Sequence, residues 1–189
     1  MTVTQAASEV KGISFHNFAA SLERLRGVDV AERFRRALPA QVRDRLEGGQ
    51  LLKMGWYPFE WYAALHRTAR EITGEGPELA FAIGRDGTHQ DFKGIYRLLR
   101  FVLTPESLIT RAPGVFGRYR RPGTLAIEAA KPHYARARIA GCVGYDASQW
   151  REIAGGCVAV LEVCGANDVK PHIIEKEPDG VAIFEAHWT

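Results

Sequence analysis

Two of the chain's three cysteines and a histidine fall in the stretch GCVAVLEVCGANDVKPHIIE, residues 156–175, with His172 eight residues after Cys164. Thiolate and imidazole are ligands that zinc accepts, and a four-ligand site here would lock the end of the chain. Against that, three is an odd cysteine count and the chain has no C-x-x-C pair, so a disulfide framework is not indicated. The thiols read first as small buried side chains, and the stretch as strand and turn. A second group, Asp86, His89 and Asp91, has the residue types of an acid–base site. His89 and Asp91 are two apart and do not share a helix face; Asp86 and His89 could meet, but Gly87 between them weakens a helix. The group reads as polar surface. With no G-x-S-x-G, no H-E-x-x-H and no cysteine beside a local base, catalysis has little support.

The aromatic residues Trp56, Tyr57, Phe59, Trp61 and Tyr62, with Phe92 and Tyr96 downstream, have two readings. At helical spacing they form core; brought together, Trp56, Trp61, Phe92 and Tyr96 would line a pocket for a small apolar ligand. Charge adds a third candidate. Residues 85–138 carry eleven Lys/Arg against four Asp/Glu, and residues 139–189 carry three against eight, beneath a net charge of +3. The run RYRR at 118–121 could meet phosphate or an acidic protein, or the basic middle could complement the acidic tail within the fold or across a dimer. No aromatic-interleaved basic motif is present, so nucleic acid is not the expected partner.

The elements that must position these groups follow from length and periodicity. At 189 residues and 46% hydrophobic content, the chain fits one domain over residues 9–189, after an unanchored, disordered start at 1–8. That start lacks the basic and apolar regions of a signal peptide, and no stretch approaches the ~20 apolar residues of a membrane span. A soluble, cytoplasmic protein is expected. After a short extended segment with Ile13 and Phe15 at period two, Phe18, Leu22 and Leu25 follow at helical spacing. Further helices are expected over 28–38, with Asp29 as N-cap, over 40–47, and over 55–76, with Pro58 in the first turn and Gly74 as the stop. Another runs over 77–102, with a weak point at 84–87 and an apolar face of Ile95, Leu98, Leu99 and Val102, and a short one follows Thr104. The period then changes. Residues 123–130, 133–141, 168–177 and 180–188 read as strands; between the pairs, a helix over 147–155 is expected to end at Gly155-Gly156 and release 157–164 as a further strand. Helices first and antiparallel strands afterward make an α+β domain, with N-terminal helices packed on a C-terminal twisted sheet.

The segments VKGISFHNF, YPFEWYAAL, PGVFGRYRRPGTLAIE and FEAHW resemble a myxobacterial family of uncharacterised proteins. That family is in turn similar to the wider group of 4-vinyl reductase domains, haem-nitric-oxide-binding domains and TRAPP vesicle-tethering subunits. The resemblance implies a commonly dimeric α+β fold with a cavity between its layers. It also implies a zinc set of Cys142, Glu162, Cys164 and His172, although the carboxylate stands one residue too close to Cys164, the last ligand is His, and the Cys142 spacing is short. Haem is not expected: His66 and His89 are the helical candidates, and neither lies in the Tyr-x-Ser-x-Arg setting of the haem domains. The expected function is a non-enzymatic sensory or adaptor module, homodimeric, binding a small apolar molecule or a protein and most simply without a cofactor. The alternatives are a binder of nucleic acid or of an acidic protein through the basic middle, and an enzyme of unidentified reaction.

Overall fold

The chain leads with helices and closes with an antiparallel sheet, as the change of period requires, in a computed structural model that describes residues 8–93, 104–176 and 180–189. Strand β1 (Glu9–Lys11) gives way to α1 (Gly12–Arg26), so Ile13 and Phe15, expected to be extended, are helical. The early start has a local cause. The N–H groups of Gly12 and Ile13 donate to Gly55 O and Lys53 O, both at 2.9 Å, so a later loop satisfies donors that a helix start leaves unpaired. Helices α2 (Val28–Ala37) and α3 (Ala40–Glu47) follow. The residue capping α2 is Gly27, at φ 88°, with no side-chain bond, and Asp29 sits inside the first turn.

Strand β2 (Trp56–Pro58) leads into α4 (Phe59–Thr73), which Gly74 ends in the left-handed conformation at φ 71°. Helix α5 (Pro77–Lys93) runs unbroken through Gly84 and Gly87; the expected face at Ile95, Leu98, Leu99 and Val102 lies outside the described residues. Short helices α6 (Pro105–Ile109), where Ser107 N–H donates to Thr104 Oγ1 at 3.3 Å, and α7 (Ala112–Phe116) precede β3 (Arg120–Arg121). Strand β1 is flanked by β2 and β3 in a small antiparallel sheet. The main sheet is antiparallel in the order β4 (Thr124–Lys131), β5 (Tyr134–Ala140), β7 (Val181–His187), β6 (Lys170–Lys176).

Between β5 and β6 runs α8 (Ala147–Val163), opened by a capping box in which Asp146 accepts from Ser148 N–H and Gln149 accepts from Asp146 N–H. The expected stop at Gly155-Gly156 and strand over 157–164 are not formed. A Cβ on Gly155 would lie 2.0 Å from Phe81 O, and one on Gly84 would lie 2.0 Å from Glu152 O, so α5 and α8 cross with backbone against backbone. The packing surface gained at that crossing outweighs the roughly 1 kcal/mol that each helical glycine costs. The core joins both layers: Phe15, Phe18, Phe34, Tyr62, Leu65 and Trp150 meet Ile139, Ala182 and Phe184. Phe184 faces the helices against Trp150, ring centroids 6.3 Å apart. No described helix is long and apolar enough to cross a membrane.

Candidate functional site

Polar side chains are buried together at one place, where α4, α8 and β3 converge. Tyr62 and His66 are four apart and share the inward face of α4. Both are within 2% of full burial, and an inward-facing phenol and imidazole each need a polar partner. That partner is Glu152 of α8. Tyr62 Oη donates to Glu152 Oε1, and His66 Nε2 lies 3.2 Å from Glu152 Oε2. Strand β3, held to β1 by the Val10–Arg120 pairing, brings in Arg120, whose Nη2 donates to Glu152 Oε2 at 3.3 Å. The Arg120 guanidinium also lies 4.7 Å over the Tyr62 ring. Phe18 and Tyr62 close on the imidazole edge-on at 4.8 and 5.2 Å.

The charges are set by competition. Burial pushes the Glu152 carboxyl up, but the His66 hydrogen bond, the Arg120 charge and the Tyr62 hydroxyl together hold it below the ordinary carboxylate range. Burial and the Glu152 charge raise the Tyr62 phenol well above its usual value. Burial works against the Arg120 cation, yet the surrounding Tyr145, Tyr62 and Glu152 raise its pKa overall. At neutral pH the cluster is therefore a fixed ion pair with a neutral phenol, a poor proton shuttle. One atom is left over: Arg120 Nη1 is buried with no hydrogen-bond partner, in a side chain only 7% exposed. An unpaired N–H at such a place is costly and marks where an acceptor belongs. Beside His66 lies a small, partly open cavity of about 10 Å³ between Phe18, Ala69, Leu79, Ala80 and Ile83, room for roughly one water.

The residues singled out by sequence are placed elsewhere. Trp56 is half-buried on β2 between Lys11 and Arg121, and Trp61 stacks on Tyr57 beneath Arg45. Phe92 is half-buried near the end of α5, and Tyr96 lies outside the described residues. Trp56, Trp61 and Phe92 line neither the cavity beside His66 nor the open groove between α1, α2 and α3. Cys142 is buried after β5, Cys164 caps α8, and His172 is exposed on β6. Glu162 is committed to Arg85 at 2.7 Å and His89 at 2.8 Å. Among the described residues no group of three or more His, Cys, Asp or Glu is placed to hold a metal ion. Burial pushes the Cys142 and Cys157 thiols up to about 11, which leaves both poor nucleophiles at neutral pH. Sequence reasoning missed Arg120 and Glu152 as a pair, although Tyr62 and His66 on an apolar helix face signal that a buried polar partner must exist.

Basic middle and acidic tail do meet within the chain. Arg85 pairs with Glu162, Arg120 with Glu152 and Arg136 with Glu185.

No protein-family model matches the chain, and no curated protein matches its sequence. Solved structures match its fold. An unliganded Fe(II) H-NOX protein from K. algicida superposes with a TM-score of 0.71 at 13% identity, covering 95% of this chain and 96% of that one. A structure described as an oxygen-binding H-NOX domain related to soluble guanylate cyclases superposes at 0.68 and 13% identity, with 94% of each chain covered. A third, concerned with haem redox potential and porphyrin distortion, superposes at 0.67 and 14% identity, covering 94% of this chain and 98% of that one. The chain thus has the H-NOX fold.

That finding corrects the expectation that haem is not bound. Domains described by their Fe(II) and haem share this fold nearly end to end at 13–14% identity, so the missing sequence setting does not exclude the group. The donor chemistry present suits it: a buried helical imidazole at His66 and a buried guanidinium at Arg120 with a spare N–H. The room does not yet suit it, because the cavity beside His66 is water-sized and the Nε2 atoms of the helical His16, His66 and His89 are all engaged.

Proposed function

We propose that the chain is a non-enzymatic sensory domain of the H-NOX fold that takes up a small ligand where α4, α8 and β3 converge. The observation that carries this reading is Arg120 Nη1, a buried donor without an acceptor inside a buried charged cluster. A ligand with a carboxylate or other acceptor would complete it. Haem is one such ligand, with His66 as the nitrogen donor and Arg120 as the partner of a propionate; when bound it would supply a site for a diatomic gas. An acyl or aromatic acid is the other chemistry. In either case uptake must open space beside Glu152, and loosening the hold of Glu152 on Tyr62, His66 and Arg120 would change how α8 is tied to α4 and β3. A homodimer, implied by the sequence resemblance, belongs to the same proposal and is checked by light scattering at low and high salt.

The test is uptake. Protein made without added cofactor is titrated with hemin and, separately, with a panel of aromatic and acyl acids, following absorbance, native mass and melting temperature. One of these is expected to bind stoichiometrically and to raise the melting temperature with concentration. Arg120→Met should abolish the response to an acid, and His66→Ala should alter the haem absorbance. Absence of any bound mass or thermal shift from all of them would overturn the proposal.

A further inference from the structure

The loop between α3 and β2 is ordered, and it holds apolar side chains out in solvent. Leu52 and Met54 are 64% and 77% exposed, the two most exposed large hydrophobic residues among those described, and they bracket the exposed Lys53. Looseness does not explain this. Leu51 is buried, and its N–H donates to Arg45 O at 2.9 Å. The Leu52 N–H donates to Tyr57 Oη at 2.7 Å, and Gly55 N–H closes a turn onto Leu52 O at 2.9 Å. Lys53 O and Gly55 O receive the first N–H groups of α1. Gly12 must be glycine for this contact, since a Cβ there would stand 2.0 Å from Leu52 O. The loop backbone is thus fastened at both ends while its two apolar side chains project.

Cations surround the tip. Trp56, which follows it, has Lys11 Nζ at 4.6 Å and the Arg121 guanidinium at 4.2 Å from its ring centroid. Arg45 covers the Trp61 ring at 5.3 Å. Among the described residues, Glu9 is bonded to Arg121 at 2.7 Å and the Asp91 carboxyl feels the Lys53 charge. A projecting apolar tip, an indole held between cations and a cationic surround together suit the boundary of an anionic lipid bilayer. There the tip enters the acyl region, the indole sits at headgroup level and the cations meet lipid phosphate and carboxylate. A stable protein interface needs roughly 800 Å² from each side, broader than a two-residue tip provides.

We infer that the 51–56 loop, with Lys11 and Arg121, is a docking tip for anionic membrane surfaces, by which the domain binds a bilayer peripherally. The test is co-sedimentation of the full chain with vesicles of phosphatidylcholine alone and of phosphatidylcholine mixed with phosphatidylserine. Binding is expected with the mixed vesicles, weaker with phosphatidylcholine alone and weakened by added salt. Leu52→Ser with Met54→Ser should lower the affinity about tenfold or more. Its melting temperature should stay unchanged, because both side chains already lie in water. Lys53→Glu should weaken binding to the mixed vesicles only, and bromine-labelled lipid should quench Trp56 emission in the wild type but not add quenching in Trp56→Phe. Failure to sediment with mixed vesicles would overturn the inference, as would binding that the double substitution leaves intact. So would a dimer that the double substitution dissolves without any vesicle binding, since the tip would then serve a second copy of the chain.

Discussion

Helix α8 is held in two different ways on its two sides. Toward α5 it is held at the crossing by shape: Gly155 and Gly84 let backbone touch backbone, and the ion pairs on this side, Glu162 with Arg85 and His89 and Arg151 with Glu78, are partly exposed. Toward α4 and β3 it is held by charge, through the buried Glu152 carboxylate and its bonds to Tyr62, His66 and Arg120. Glu152 belongs to both sides, with its carbonyl against Gly84 and its carboxylate in the cluster. A shape contact is indifferent to pH and to ligands and fails only when atoms are added. A charged contact depends on protonation and on any group that competes for it. The first anchors α8; the second is where a signal could act on it.

Adding atoms to the shape side should have the largest effect. In Gly155→Val the new side chain meets the Phe81 carbonyl, so the loss should exceed the roughly 1–3 kcal/mol usual for overpacking, because the obstacle is backbone. The expected outcome is protein that fails to accumulate in folded form, judged by circular dichroism and gel filtration. Normal folding would show that the two helices can separate freely. Next in size is Glu152→Ala, which leaves Arg120 buried without its counter-charge and should cost about 3–5 kcal/mol in denaturant unfolding. A loss below about 1 kcal/mol would mean that water already reaches the cluster.

Acid should weaken the buried charged side of α8 through Glu152. Glu152 is held below its ordinary value of 4.5 in the fold, so its contribution is present above that value and disappears as the pH falls through the lower folded value. Asp146, held below 3.8 by Ser148 and Arg70 against the opposing push of burial, acts in the same direction, as do Glu162, Asp86 and Glu75, each held low by its arginine partner. Asp91, raised by burial, acts in the opposite direction and partly offsets the loss. Melting temperatures measured from pH 7 to 3 should fall on the acid side of pH 4.5, and less steeply in Glu152→Gln. Equal slopes would place the acid sensitivity elsewhere. The smallest effect is expected far from α8. Trp61→Ala should cost roughly 1–2 kcal/mol, against 3–5 for the fully buried Trp150→Ala, since Trp61 is only half-buried on Tyr57.

Much of the fold is legible in the residues. The stop at Gly74 and the cap at Thr104 are local signals, and each stands where expected. Gly155-Gly156 misleads because the same property, a missing side chain, ends a helix that has no neighbour and admits a neighbour where one is available. Asp29 misleads less, falling two residues inside α2 because Gly27 already turns the chain there.

The site is a different case. Tyr62 and His66 announce a buried partner by their i, i+4 spacing, yet nothing in the chain says that the partner is Glu152, 90 and 86 residues away. Arg120 reads as part of a basic surface run until β3 turns it inward. By itself the sequence determined the order of helices and strands, because periodicity and capping depend on neighbours along the chain. Only the tertiary structure decided which glycines are contacts, which arginine is buried and which glutamate holds three elements together. Helix crossing, burial and charge pairing depend on neighbours in space, and those come from segments that share no local pattern.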